Sequence, residues 1–592
     1  MKRVIVGLLA VIGGLALVAA GVVLVVGAGT MLGKGIVLSH TVLEVDFERP
    51  LVEHVADDPL ARLIGARHLV LREVVEALER ASSDARVVAL VARVGAAPMG
   101  LAQVQELRDA VLTFRKSGKP AIAYAETFGE VGPGNGAYYL ATAFDEIYLL
   151  PAGDIGLTGL IYESQFLRGT LEKVGITPRM DHRHEYKNAM NAFTERQYTE
   201  AHREAMQRLV DSQFSQMVRG IATGRRLGEA SVRALVDRGP FLGQEAVDAG
   251  LVDALAYRDE VLERVSKRAG PVAHYLGLPK YLERTGSPWA QGATVALIYG
   301  LGGVTRGRSG YDPLFDAPTM GADTVAAAFR AAVADDDVRA ILFRVDSPGG
   351  SYVASDAIWR ETVRAKDAGK PVVVSMGDVA GSGGYFVAMA ADRIVAQPAT
   401  ITGSIGVVGG KMLTAGMWEK LGLSWDDVRS SANATMWTGT HDYSPAEWAR
   451  FQGWLDRVYA DFTAKVAKGR RLSIEKVNEG ARGRIWTGED AKALGLVDEL
   501  GGFPVALRLV REVAGLPAGA PIKLKPFPGR RTLLEALLQQ EPESSEQTAE
   551  AAALLRAVRA LQPLARLAVE AGLGPDPGVL SMPSEVLGAR PR

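Results

Sequence analysis

Apolar positions along the chain form short β-branched runs that alternate with longer helix-forming stretches. Residues 85–94 and 338–345 predict buried strands, whereas residues 69–81 and 324–334 predict helices. Strands that alternate with helices are typical of right-handed βαβ units around a mostly parallel sheet. The pattern therefore predicts an α/β fold in each half of the chain.

One stretch of the first half recurs in the second half without a gap. Residues 134–160, GNGAYYLATAFDEIYLLPAGDIGLTGL, align with residues 381–407, GSGGYFVAMAADRIVAQPATITGSIGV, at an offset of 247, and 11 of the 27 positions are identical. Chance would give only a few identities, so the chain contains an internal duplication.

The duplication and the composition of the remaining segments predict the domain boundaries. The first repeat covers residues 41–265 and the second covers residues 294–515, since TVLEVDFERPL at the start of one matches TVALIYGLGGV at the start of the other. Residues 266–293, rich in Gly and Pro, are expected to connect them. Residues 516–592 are expected to form an extension that is partly flexible and partly helical, with an amphipathic helix at 548–562.

The N-terminus carries a long uncharged segment. Residues 4–33 contain no charge and follow Lys2 and Arg3. A signal-peptide core has about 7 to 15 apolar residues and a bilayer span needs about 20, so residues 1–34 are expected to be a membrane anchor. The basic end places the N-terminus inside and the domains outside the cytoplasm. The alternative is a long cleaved signal peptide with residues 19–21 as the cleavage region.

Composition narrows the possible functions. A chain of 592 residues suits two domains of about 200 to 250 residues. The net charge of −1 gives no reason to expect nucleic acid as a partner. The sequence has no cysteine, which excludes disulfides, thiolate catalysis and cysteine-ligated metal sites.

Ser382 is the candidate nucleophile. It follows the β-branched run at 372–374 and a turn of small residues, and it precedes the helix-forming FVAMAA. Ser382 is thus predicted at a helix N-terminus, where free N–H groups and the helix dipole favour the negative charge of acyl transfer. The alternative is a simple tight turn. In the first repeat, Asn135 takes the place of Ser382, and Leu157 takes the place of Ser404.

A second candidate element is the turn DSPGGS at residues 346–351, where the first repeat has GAAPMG. Gly349 and Gly350 follow a predicted strand, and ligands of open α/β sheets bind at the C-terminal ends of strands. Their backbone N–H groups could therefore stabilise an oxyanion. The alternative is an ordinary Pro-Gly turn.

A serine nucleophile needs a base, normally His, or a Lys whose pKa is lowered by burial. None of the eight histidines lies in the duplicated sheet segments near Ser382. His182 and His184 could suggest a metal site, but no acidic or thiolate cluster accompanies them, and a solvated loop is the better interpretation. Lys187 lies nearby in the first repeat, and Ala434 takes its place in the second. The alternative for Lys187 is an exposed surface lysine.

Three segments together resemble a known family. MGDVAGSGGYFVAMAADRIVAQPATITGSIGV, RVDSPGGSYVASDAI and HEYKNAMNAFTE are similar to the long, duplicated form of the signal peptide peptidase A (protease IV) family of S49 serine peptidases. The resemblance covers about residues 1–515. It implies two tandem domains with the Clp protease and crotonase fold after a transmembrane helix, assembly into a homo-oligomer such as a tetramer, and a Ser/Lys dyad split between the repeats.

The resemblance also assigns roles. Ser382 matches the nucleophile of the family, Lys187 its general base, and Ser404 the serine that orients the lysine amine. Gly349 matches the oxyanion-hole position, and Gly350 beside it is a further candidate. The family often has Asn at the position before SPGG, where this chain has an Asp.

The implied activity is cleavage of released signal peptides within their apolar cores, at the outer side of the cytoplasmic membrane. No metal or organic cofactor is implied. Two alternatives stay open: an inactive scaffold of the same fold that binds peptides, and a crotonase-like acyl-CoA enzyme. Export of the chain away from CoA argues against the second.

Overall fold

The computed structural model describes residues 35–55, 68–95, 98–270, 272–312 and 317–529. The predicted anchor in residues 1–34 and the helix predicted at 548–562 lie outside these ranges. No helix of the described part of the chain is long and apolar enough to span a bilayer.

The first repeat is built on a six-stranded sheet in which every neighbouring pair is parallel. In spatial order its strands are Ala254–Leu255, Glu146–Leu149, Ala121–Ala125, Val87–Arg93, Thr41–Asp46 and His274–Gly277.

The second repeat has the same strand order around its own sheet. The corresponding strands are Glu499–Leu500, Arg393–Ala396, Val372–Gly381, Val338–Ser347, Ala293–Leu301 and Ile522–Phe527. This sheet gains two further strands, Ile401–Gly403 and Ile485–Thr487, beside the end of Val372–Gly381. The duplication read from the sequence is therefore visible in the topology, and the parallel α/β prediction is confirmed.

The described chain also contains four smaller groups of strands, which are separate from the two main sheets. They are Leu51–Val52 with Leu69–Val70, Asp154–Ile155 with Phe241–Leu242, Thr177–His182 with Val408–Leu413, and a three-stranded group of Gly303–Thr305, Gly310–Asp312 and Ala317–Gly321.

The helices surround the sheets in a matching series. The first repeat contains Leu71–Ser83, Leu101–Arg115, Asn135–Ala141, Arg168–Val174, Asn191–Thr194, Glu200–Arg225, Glu229–Arg238, Gly243–Asp248, Arg258–Ala269 and Leu278–Thr285. The second contains Ala322–Ala334, Tyr352–Asp367, Gly383–Ala388, Ala415–Lys420, Pro445–Arg470, Ile474–Gly480, Gly488–Ala493 and Phe503–Val513.

The longest helix of each repeat begins at a hydroxyl cap. Thr199 Oγ1 accepts a hydrogen bond from the N–H of His202 at 3.3 Å, and Ser444 Oγ accepts one from the N–H of Glu447 at 3.2 Å. Such caps satisfy N–H groups that have no partner within the helix. Both helices are 26 residues long, so the local sequence signals were duplicated together with the fold.

Each repeat extends beyond its predicted end. The edge strand His274–Gly277 lies in the stretch expected to be a connector, and its counterpart Ile522–Phe527 lies in the predicted C-terminal extension. Both are short strands flanked by Gly and Pro, and each lies at a sheet edge beside the first strand of its own repeat. Their pairing depends on that tertiary contact, which local sequence patterns do not report.

The two repeats share one core. A large buried cluster joins apolar side chains of the first repeat to residues of the second that include Leu342, Val373 and Phe503. The helix Leu101–Arg115 lies at this junction, and most of its residues are buried. The shared core holds the repeats in a fixed relation, which a site with parts from both of them requires.

Candidate active site

Ser382 lies where the strand Val372–Gly381 meets the helix Gly383–Ala388, as predicted. Its backbone is in a conformation rare for a non-glycine residue, with φ 54° and ψ −114°. The N–H of Ser382 donates to the carbonyl of Gly403 at 2.9 Å, and its carbonyl accepts from Phe386 at 2.8 Å. Strained backbone of this kind persists only where the surroundings enforce it, as at many active sites.

The glycines after Ser382 allow this turn to pack closely on the turn of residues 347–350. A Cβ atom on Gly384 would lie 2.4 Å from the carbonyl oxygen of Ser347, and one on Gly383 would lie 3.0 Å from the backbone nitrogen of Gly350. Side chains at these two positions would push the turns apart. The small residues therefore bring the Ser382 turn and the Gly349–Gly350 turn into contact.

Lys187 reaches this point from the first repeat. It follows the strand Thr177–His182, which pairs in antiparallel fashion with Val408–Leu413 of the second repeat, and it precedes a single 3₁₀ turn at Asn188–Met190. The pairing carries the lysine across the boundary between the repeats. Two residues that are 195 positions apart in sequence thereby become neighbours.

The lysine amine makes three contacts, all in the second repeat. Lys187 Nζ lies 2.8 Å from Ser382 Oγ, 3.0 Å from Ser404 Oγ and 3.2 Å from the Ser404 carbonyl oxygen. The structure thus brings together the three side chains that were predicted as nucleophile, base and lysine-orienting residue.

Lys187 is not the exposed surface lysine that was the alternative interpretation. Its exposed fraction is 0%, and burial lowers its pKa from 10.5 to about 7. Loss of hydration penalises the charged amine, so the neutral form becomes accessible near physiological pH. A neutral amine can accept a proton.

Two glycines of the second repeat enclose the lysine, and the sequence patterns did not indicate either of them. A Cβ on Gly483 would lie 2.5 Å from Lys187 Cβ, and a Cβ on Gly406 would lie 3.1 Å from Lys187 Cδ. Gly483 also has φ +83°, which favours glycine. Only the packing of the folded chain identifies these two glycines.

Ser404 follows the strand Ile401–Gly403 and has a positive φ of 51°. Its N–H donates to the carbonyl of Arg484 at 2.7 Å, which fixes the backbone. Both its hydroxyl and its carbonyl oxygen are consequently directed at one amine.

The Gly349–Gly350 turn has positive φ angles of 105° and 151°. The N–H of Gly349 donates to Ser347 Oγ at 3.3 Å, whereas the N–H of Gly350 donates no hydrogen bond to any described residue. A Cβ on Gly350 would lie 2.3 Å from the carbonyl oxygen of Val304. Of the two glycines, Gly350 has the freer donor, although the family resemblance points to Gly349.

The histidines at 182 and 184 do not approach the serine. His184 packs its ring against Tyr459, with ring centroids 4.5 Å apart, and Nδ1 of His182 has no hydrogen-bond partner among the described residues. Burial lowers the pKa of both imidazoles. Within the described ranges, no three His, Asp or Glu side chains are grouped so that they could hold a metal ion.

The corresponding place in the first repeat is filled. Asn135 is buried, its Oδ1 accepts from the N–H groups of Thr158 and Gly159 at 3.0 and 3.1 Å, and its Nδ2 donates to the Gly159 carbonyl at 2.8 Å. Leu157 is also buried. This copy holds a satisfied amide where the other holds a hydroxyl beside the Lys187 amine, so the candidate nucleophile lies in the second repeat.

The chain is similar to known peptidases. The model of Peptidase family S49 matches residues 113–271 and 364–516. The chain is 32% identical to "Serine protease SPPA, chloroplastic" of Arabidopsis thaliana over 77% of this chain and 67% of that protein. It is also 32% identical to "Protease 4" of Salmonella typhi over 75% of this chain and 72% of that protein.

Among solved structures, a mutant of ClpP1 from Listeria monocytogenes matches 36% of this chain and 94% of its own, with 16% identity and a TM-score of 0.23. The family match includes part of each repeat and more than half of the chain, and the two relatives match about three quarters of it. This chain belongs to peptidase family S49 and is a serine peptidase.

Proposed function

We propose that the chain cleaves peptide bonds with Ser382 as nucleophile and Lys187 as general base. The observation that carries the proposal is the 2.8 Å contact between Ser382 Oγ and a fully buried lysine amine whose pKa is about 7. A serine becomes nucleophilic when an adjacent base takes its proton, and a desolvated lysine can serve as that base.

The three contacts of the amine suit its neutral form. A neutral amine has two N–H donors and one lone pair. The two donors can bind the hydroxyl and carbonyl oxygens of Ser404, which leaves the lone pair directed at the hydroxyl hydrogen of Ser382. Ser404 would then act by orienting the amine. The proton moves from Ser382 Oγ to Lys187 Nζ as the oxygen attacks the peptide carbonyl, and it is then passed to the leaving amine.

The developing oxyanion would be stabilised by the backbone at the Gly349–Gly350 turn. The free N–H of Gly350 is the main candidate donor, and the turn packs directly against the residue that follows Ser382. Donors that are already fixed in place lower the barrier because they need no reorganisation during the reaction.

We propose apolar peptides, in particular released signal peptides, as substrates. An apolar cluster of both repeats lies beside the nucleophile strand and comprises Met206, Leu209, Ile401 and Ile485, with half-buried Tyr162, Tyr198 and Val379 packed against it. Val379 precedes Ser382 by three residues and pairs with Ile401. Side chains of this kind favour apolar groups over charged ones.

The proposed setting is the outer face of the cytoplasmic membrane, with residues 1–34 as a single-pass anchor. Support comes from the uncharged run at residues 4–33 and the basic residues before it. An anchored peptidase would meet peptides that remain in the lipid.

We also propose assembly into a homo-oligomer, with a tetramer as the expected form. Two segments, 161–166 and 424–429, belong to no helix or strand within the described chain. At the offset of 247 they correspond to Val408–Leu413 and Thr177–His182, which pair with each other across the repeats. The same pairing between copies would join 424–429 of one chain to 161–166 of the next.

Exposed apolar residues on both segments support this pairing. Ile161, Trp425 and Val428 are each more than half exposed. Exposed apolar side chains on segments that lie outside any sheet favour association. The contact joins different surfaces of the two copies. Repeating it gives a closed ring when the rotation from one copy to the next is a whole fraction of a full turn.

A labelling experiment tests the peptidase proposal against an inactive scaffold. An active-site-directed fluorophosphonate should modify Ser382 in the wild type and should not modify Ser382→Ala. The matched control, Ser355→Ala, removes a nearby buried hydroxyl that is bonded to the Ser351 carbonyl, and it should still be labelled. Absence of labelling in the wild type, with no cleavage of an apolar peptide, would favour the scaffold.

A further inference from the structure

Two carboxyl groups lie at the base of the proposed site, on the two central strands of the second sheet. Asp346 precedes Gly349 by three residues, and Asp378 precedes Ser382 by four. Each carboxyl group is therefore close in sequence to one part of the site, and neither takes part in the proposed proton transfer.

Asp346 fills an interruption in the strand pairing. Regular pairing of the two central strands breaks at Asp346, which stands opposite Gly377 to Val379. Asp346 Oδ1 accepts the N–H of Val379 at 2.9 Å, and a Cβ on Gly377 would lie 2.9 Å from Asp346 Cβ. Such an irregularity redirects the chain that follows it. The carboxyl group of Asp346 thus fixes the path of the strand that leads to Ser382.

Asp378 connects the same strand to the first repeat. Its Oδ1 accepts the N–H of Gln103 at 3.0 Å, in the first turn of the helix Leu101–Arg115. A Cβ on Gly100 would lie 1.9 Å from Asp378 Oδ2, so only glycine at residue 100 allows the carboxyl group to approach the helix end. The first repeat, which supplies Lys187, is held to the nucleophile strand at this contact.

The neighbouring charges do not neutralise the pair. The buried guanidinium of Arg344 is bound to Glu53 and Glu106, with nitrogen to oxygen distances of 2.9 Å to each. Two ionised aspartates would leave four carboxylates around one cation. Four charged or titratable groups of the described chain surround the pair. They are Glu53 after the strand Leu51–Val52, Glu106 in the helix Leu101–Arg115, Arg344 in the strand Val338–Ser347, and Tyr162.

Burial is the main cause that raises the pKa of both aspartates. The charge of Glu53 adds to the effect at Asp346, and the charge of Asp346 adds to it at Asp378. A carboxyl group with a raised pKa in the folded state keeps its proton at a pH where the unfolded chain has lost it. Stability therefore falls as pH rises from the ordinary carboxyl pKa through the raised one.

We propose that Asp346 and Asp378 are positioning residues that share a proton, and that loss of this proton at alkaline pH loosens the Ser382 strand from the first repeat. The nucleophile and the lysine then lose their alignment, although Lys187 is neutral and competent as a base. The activity profile should accordingly be bell-shaped, with a rising limb from Lys187 and a falling limb from the aspartate pair.

Asparagine substitutions test the proposal because they keep the acceptor oxygen and remove the charge. A pair that shares one proton already carries one negative charge, and in Asp346→Asn the single remaining carboxyl group cannot exceed that charge. The alkaline fall in kcat/KM should therefore disappear or move up by about one pH unit or more. Asp378→Asn should do the same, and the rising limb should stay in place. The matched control is Asp392→Asn. Asp392 Oδ2 accepts the N–H of Val372 at 2.8 Å, at the start of the strand Val372–Gly381 and away from Ser382. This control should leave both limbs unchanged.

The activity measurement rests on the proposed function, so a second measurement is independent of it. In a Ser382→Ala/Lys187→Met background, which removes the opposing titration of Lys187, the unfolding temperature should fall between about pH 6 and pH 9, and it should fall less when Asp346→Asn is added. An unchanged falling limb together with an unchanged slope of unfolding temperature would overturn the inference. An altered slope in a chain without peptidase activity would keep the inference about the pair and reject the proposed chemistry.

Discussion

Replacement of Lys187 by methionine should abolish activity and raise the stability of the fold. Methionine keeps most of the length and apolar surface of the lysine side chain and removes the amine. A pKa of about 7 in place of 10.5 means that the folded state disfavours the protonated amine. Each pKa unit corresponds to about 1.4 kcal/mol, so burial of this group destabilises the fold by roughly 4 to 5 kcal/mol at or below neutral pH.

The sign of this effect gives a pH dependence. Because the folded pKa of Lys187 is lowered, its amine binds more protons in the unfolded chain between about pH 7 and pH 10.5, and the contribution of this lysine to stability rises across that range. The advantage of Lys187→Met should therefore be largest at neutral pH and should shrink by about 1.4 kcal/mol per pH unit above it.

Urea unfolding at several pH values measures this difference, with Ser382→Ala in both chains to prevent self-cleavage. Lys492→Met, at an exposed position, is the control and should change stability little at any pH. A gain below about 1 kcal/mol for Lys187→Met, or a gain that does not vary with pH, would refute the idea that burial keeps this amine neutral.

Three further substitutions test the surroundings of the amine. Ser404→Ala removes one hydrogen bond to the lysine, so kcat should fall by about 10- to 100-fold, with residual activity measurable in a peptide cleavage assay. Gly350→Ala places a methyl group 2.3 Å from a carbonyl oxygen, and steady-state kinetics should show a loss of about 10²- to 10³-fold in kcat with a smaller change in KM. Gly483→Ala places a methyl group 2.5 Å from the lysine Cβ and should reduce activity strongly with an unchanged circular dichroism spectrum, whereas Gly453→Ala, in open space on a helix, should be neutral. Normal turnover in Gly483→Ala would show that the lysine does not need this enclosure.

The sequence predicted the repeated α/β architecture because that information is local. The helix predicted at 324–334 is observed at Ala322–Ala334, and the strand predicted at 338–345 is observed at Val338–Ser347. Apolar periodicity reports such elements directly. The edge strands His274–Gly277 and Ile522–Phe527 were missed because such short strands between Gly and Pro residues have no periodicity of their own.

Site residues were predictable where the two repeats differ at aligned positions. Ser382 aligns with Asn135 and Lys187 aligns with Ala434, so each repeat has one reactive side chain that the other lacks. The burial of Lys187 was not predictable from its polar neighbours, since it results from strand pairing between the repeats. The aspartate pair was missed for a similar reason: its surroundings combine an interrupted strand pairing with a helix end from the other repeat.

The rate at which a fluorophosphonate modifies Ser382, measured against pH, tests the Ser/Lys assignment most directly because it reports activation of the nucleophile alone. The second-order rate constant should rise through about pH 7, should be unchanged in a His182→Ala/His184→Ala variant, and should be almost abolished in Lys187→Met. A histidine base would also titrate near neutrality, so the variants decide the assignment. Modification of Lys187→Met at the wild-type rate, or loss of the rising limb with the histidines, would contradict the account.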